Sequence, residues 1–231
     1  MRLVSPYAAF ENEHSSMPWA KRAILVYMAF IVVGAGIMWA VEPALHTYYA
    51  QFRLRLEHPG AGTSFPHLNL PVGYRVFTGL EGLVNAAGFI LFLVWQHRTA
   101  STARALGYPA RRSPALGVGG WFIPVCFLWF PYQAIRDCLP PGHPERRMVL
   151  HMWLWYVAFT CVGLVAASVS YFGPTTVGVA LQNVGALAAA IYAYFAFKVV
   201  GVIYNTHHQT LYPYEPTAPD GTGPAMGPTS Y

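Results

Sequence analysis

Apolar and polar positions alternate along this chain in blocks much longer than a turn of helix. Residues 23–41 (AILVYMAFIVVGAGIMWAV) are apolar throughout, with Lys21 and Arg22 before them and Glu42 and Pro43 after. At about 1.5 Å per residue such a run just crosses a hydrocarbon core of about 30 Å. Blocks at 76–96, 149–171 and 177–200 have the same character, and each predicts a membrane-spanning helix. Only YFGPTT parts the last two, which makes them antiparallel neighbours. The stretch 115–135 is the ambiguous one. It is apolar enough to span, but Pro124 and Pro131 interrupt it and Gly117, Gly119 and Gly120 loosen its start.

Charge placement separates the two topologies, because cytoplasmic flanks carry the excess of Lys and Arg. If 115–135 dips in and returns, eleven basic residues fall on one side and three (Arg53, Arg55, Arg75) on the other. If it crosses, Arg136, Arg146, Arg147 and Lys198 change sides and the count is seven against seven. The expected fold is therefore an all-α membrane protein of four transmembrane helices. A proline-broken re-entrant or interfacial hinge lies between the second and third. Residues 1–20 read as a cytoplasmic lead-in and 21–203 as the helical membrane domain, with its hinge at 97–148. Residues 204–231 read as a disordered, proline-rich cytoplasmic tail. Between the first two spans, TYYAQFRLRLE suggests a short amphipathic helix and HPGAGTSFPHLNLP a turn-rich connection.

Composition agrees, with 55% hydrophobic and only 10% charged residues; a soluble domain carries about 25% charged. The net charge of +5 sits beside the apolar runs. It suits anionic headgroups of a plasma membrane, with no stripe or motif for nucleic acid. The three cysteines lack C-x-x-C spacing and read as free thiols.

Residues 95–136 carry a pattern: Trp95 and Arg98, then Arg104-Ala105-Leu106-Gly107, Ser113-Pro114, Trp121-Phe122-Ile123-Pro124, and Pro131-Tyr132-Gln133 with Arg136. This stretch resembles the domain of unknown function 4328, a family of multi-pass membrane proteins. With the flanking spans the resemblance covers roughly residues 76–200. Thr102 and Phe127 stand where the family commonly has asparagine, and Phe130 where it commonly has a basic residue. The resemblance implies a membrane location and a four-span layout, and implies no reaction.

Inside the spans, Glu81 and Asn85 share a helix face at i and i+4, and Gln182 and Asn183 in the last span are the natural partners. An ionisable group at membrane depth is a functional candidate by default, although pairing of Glu81 with Arg75 or Arg53 is the simpler expectation. The pairs Gly82/Ala86, Gly163/Ala167 and Gly185/Ala189 fit close helix packing. His97 and His151 end and begin spans at similar depth, the arrangement a haem would use; no second pair supports it, and no cofactor is expected. No nucleophile–base pair or phosphate loop is present. The leading expectation is a non-enzymatic assembly component that meets lipid, a membrane-protein partner or a second copy of itself. A small transporter or channel built on Glu81, Asn85, Gln182 and Asn183 is the alternative, and a haem- or quinone-binding redox subunit is the weaker one.

Overall fold

A computed structural model describes residues 5–58, 72–172 and 175–213. They form α1 (Pro6–Glu57), α2 (Val72–Ala105), α3 (Pro114–Gly119), a 3-10 turn (Cys126–Leu128), α4 (Phe130–Arg136), α5 (Arg146–Phe172) and α6 (Thr175–Leu211). No strand occurs among them. Four helices, α1, α2, α5 and α6, are long and apolar enough to cross a membrane.

The helices overrun the apolar blocks. At 52 residues, α1 is about 78 Å long at about 1.5 Å per residue. Ser5 caps it, accepting from the Ala8 amide, and it continues through both Pro18 and Pro43. The lead-in read at 1–20 is therefore helical from residue 6, and TYYAQFRLRLE is the far end of this helix rather than a separate one. A proline removes one ladder bond, but a seam of Ala9, Phe10, Glu13, Ser16, Ala20 and Ile24 holds the first turns against neighbouring helices. Likewise α6 runs to Leu211, so residues 204–211, read above as part of the tail, are helical. Residues 214–231 and the turn-rich connection at 59–71 lie outside the described residues.

In cross-section α1 lies between α2 and α6, and α5 packs on the other side of α6. Helices α2 and α5 do not pack together, which leaves a gap down one side of the bundle. The hinge closes that gap at one end, with α3 against α2 and α4 against both α3 and α5. Its 115–135 stretch forms no continuous helix. Pro131 is no breaker either: it sits in the first turn of α4, where a missing amide hydrogen has no bond to lose.

Both described chain ends share the hinge end, as an even number of crossings requires. Tyr7 packs edge-on against Tyr212, and Phe10 stacks on Tyr204 with ring centres 5.4 Å apart. Most of the core sits at this end, where Trp95, Ile135, Leu139, Val149, Met152, Val200 and Ile203 are almost fully buried. Elsewhere only one of the three small-residue pairs, Gly185 with the buried Ala189, is a contact point. Gly82 and Gly163 face open space, and Gly185 alone meets a neighbour, Val162.

Candidate functional site

The gap between α2 and α5 contains two cavities. The larger, about 310 Å³, is lined from four helices and includes all four polar residues singled out above: Glu81 and Asn85 from α2, Gln182 and Asn183 from α6. Tyr27, Ile31 and Met38 of α1 and Phe159 of α5 complete the wall. The smaller cavity, about 190 Å³, is lined by Ile24, Phe89, Phe92, Trp121, Tyr156 and Tyr192 among others. Tyr27, Asn85 and Phe159 border both, so the two adjoin. They form one crevice, polar toward the far end and aromatic toward the hinge.

The polar groups have spare capacity. Asn183 donates to the carbonyl of Val179 in its own helix at 2.9 Å. Among the described residues Glu81 makes no ion pair and no hydrogen bond, and the same holds of the Asn85 and Gln182 side chains. Neither Arg53 nor Arg75 pairs with Glu81, contrary to the simpler expectation, because the carboxylate turns toward the cavity and α1. Among the described residues no Lys, Arg or His lines either cavity.

At the hinge end the crevice is shut by Trp121. Its indole N–H donates to Gln96 Oε1 at 2.8 Å, and Gln96 Nε2 donates to the Gly117 carbonyl at 3.2 Å. Phe89, Tyr156 and Trp153 surround the indole with ring centres 5.4–5.8 Å away. Glycine at 117 is needed for this closure, since a Cβ there would stand 2.6 Å from that of Ala134 on α4.

The remaining signature residues build the hinge. Trp95 is buried on α2, and Arg98 donates to the Asn12 carbonyl and Ser15 Oγ, tying α2 to α1. Gly107, with φ of +80°, ends α2 together with Leu106, whose amide bonds to Thr102. Ser113 caps α3 and Pro114 opens it. Arg112 stacks on Phe130 at 4.0 Å and donates to Gln133 Oε1. Arg136 pairs with Asp137 at 3.0 Å, and Asp137 also accepts from the Arg111 amide. Tyr132 is buried. Pro124 precedes Val125, whose φ of 69° makes a strained three-residue turn closed by the Cys126 amide on the Pro124 carbonyl. Arg112 and Arg136 thus serve side chains, and the Trp153 indole caps the loop carbonyl of Leu128. The tip carries exposed Phe122, Ile123, Val125, Leu128 and Trp129.

His97 and His151 are both exposed and line neither cavity; His151 packs its ring against Phe195. A different histidine is buried. His207 of α6 meets Glu13 Oε2 of α1 through Nδ1 and the Cys138 carbonyl through Nε2, each at 2.8 Å. Both side chains are wholly buried. A carbonyl only accepts, so Nε2 carries a hydrogen, and one further proton lies on the Nδ1–Oε2 line. The signal for this pair was helical spacing: Val199, Val200, Ile203 and His207 continue the α6 stripe past Lys198, and Phe10, Glu13, Met17 and Ala20 do the same on α1.

A bundle of four membrane-length helices with a folded-in hinge and an intramembrane crevice defines a small multi-pass membrane protein. The chain belongs to the family of the domain of unknown function DUF4328, whose model matches residues 72–205. No curated protein and no solved structure matches it.

Proposed function

We propose that the chain is a non-enzymatic plasma-membrane protein whose crevice holds a small molecule drawn from the bilayer. The observation that carries this is the convergence of Glu81, Asn85, Gln182 and Asn183 on one cavity that adjoins an aromatic one. Polar side chains at membrane depth usually pair with one another, whereas three of these four, half-buried along the cavity, have no partner among the described residues. A few convergent polar groups in an otherwise apolar pocket are the usual make-up of a ligand site. The Trp121 closure favours a binding site over an open pore.

In this reading the hinge end faces the cytoplasm, where Lys and Arg concentrate, and its arginines meet anionic headgroups. The exposed apolar tip around Val125 dips into the inner leaflet, since so contiguous an apolar surface is unfavourable in water.

Native mass spectrometry of the full chain released from membranes tests the site. A bound small molecule is expected on the wild type and not on Ala189→Trp, which fills the larger cavity, with thermal melting of the two compared as a folding check. A wild type that carries no ligand, even when loaded with membrane lipid extract, overturns the proposal.

A further inference from the structure

We infer that the molecule held in this crevice is a lipophilic amine, bound as its ammonium against the Glu81 carboxylate. The inference rests on the binding reading above and adds the chemical class of the ligand.

Charge comes first. Among the described residues Glu81 is the sole carboxylate lining either cavity, and none of them places a cation beside it. An ionised carboxylate away from water is strongly unfavourable unless a positive group pairs with it. The described residues supply no such group, and a ligand ammonium does. The same wall disfavours an anion, which would meet Glu81 and no compensating charge.

Geometry gives the rest of the molecule. Around Glu81 stand the Tyr27 and Tyr74 rings and the Asn85 and Gln182 amides. Aromatic faces attract cations, and amide oxygens accept the remaining ammonium hydrogens. From Asn85 toward the hinge the wall turns to Phe89, Phe92, Tyr156, Phe159 and Trp121. That end accepts a flat or branched apolar body and offers little to hydrogen-bond it. Because α2 and α5 do not pack together, the way in is sideways from lipid. A ligand arriving by that route must already partition into the bilayer.

Two pyrene probes of the same shape separate the possibilities: 1-pyrenemethylamine, cationic at neutral pH, and 1-pyrenemethanol, neutral. The full chain is placed in nanodiscs of zwitterionic phosphatidylcholine, and energy transfer from tryptophan to pyrene is titrated against empty nanodiscs. The amine should bind at least about tenfold more tightly than the alcohol, on the order of the 1.4 kcal/mol that a factor of ten represents. Glu81→Gln, which keeps shape and removes charge, should erase that preference. Ala189→Trp should weaken both probes. Equal binding of the two probes to the wild type, or a preference that survives in Glu81→Gln, overturns the amine assignment and leaves the binding reading intact. Failure of both probes on a chain that carries a different molecule in native mass spectrometry has the same meaning. Failure of both, with no native ligand found, removes the two proposals together. If Glu81→Gln does not fold, the wild-type ratio alone still decides.

Discussion

The hinge end and the long-helix half of this protein are built by opposite rules. At the hinge end polar side chains are buried and mostly answered: Gln96 by Trp121 and Gly117, Gln133 by Arg112, Asp137 by Arg136 and Arg111, His207 by Glu13 and Cys138. Along the spans the pattern reverses. Leu83, Ile90, Leu164, Val184 and Leu187 point outward, and polar Glu81, Asn85 and Gln182 face the crevice. In the topology proposed above, water explains the first arrangement, because the hydrophobic effect compacts a domain with a wet surface. Lipid explains the second, because tails are as apolar as leucine and give helices no comparable reason to close every gap. The crevice persists in the half where packing is weakly driven, and the hinge shuts it where packing is strong.

The sharpest test of this contrast is positional. With native cysteines removed, single cysteines at Arg112 and Arg147 should both resist an impermeant thiol reagent added outside intact cells and both react after permeabilisation. Labelling of position 147 alone from outside would place the two sides of the hinge across the membrane and break the comparison. A large energetic difference should follow. His207→Leu strands the buried Glu13 carboxylate and should cost about 3–5 kcal/mol in detergent unfolding. The double variant Glu13→Leu with His207→Leu should recover most of that loss. Leu187→Ala on the lipid-facing side should stay within about 0.5 kcal/mol. Comparable losses at Leu187 and His207 would mean the two halves are packed alike.

The smallest effect concerns Cys138. Burial, with the nearby charges of Glu13 and Asp137, pushes its thiol well above the ordinary value. The folded chain therefore keeps a proton that the unfolded chain releases at alkaline pH. Its contribution to stability is complete below the ordinary thiol value and declines as pH rises beyond it. Melting between pH 7 and 9.5 should accordingly fall more for the wild type than for Cys138→Ala; equal slopes would show that the thiol titrates freely.

The four spans were plain in the sequence because each is a long apolar block, and lipid demands little else. The convergence of Glu81 and Asn85 with Gln182 and Asn183 was also legible as a pairing across helices, but not as a cavity. Whether side chains meet or leave a gap depends on how far α2 and α5 stand apart, and no local pattern encodes that distance. The Glu13–His207 pair was hidden by the opposite problem. Pro18 suggests an interruption and Lys198 an ending, while tertiary packing carries both helices past those marks. The hinge was readable as a proline-broken segment. The role of Pro131 as a helix opener, and of Gln96 as the link between α3 and Trp121, needed the fold.

Glu13 and His207 also set an order on assembly. Residue 13 leaves the ribosome first by nearly the whole length of the chain, and its partner is among the last residues of α6 to emerge. Until then Glu13 has water or headgroups for company, and the apolar seam beside it has no α6 to cover it. The latch between α1 and α6 closes only once α6 has been made through residue 207. Any change that removes α6 before residue 207 would therefore uncover both that seam and the Glu13 carboxylate, so one contact ties the order of α1 to the presence of α6.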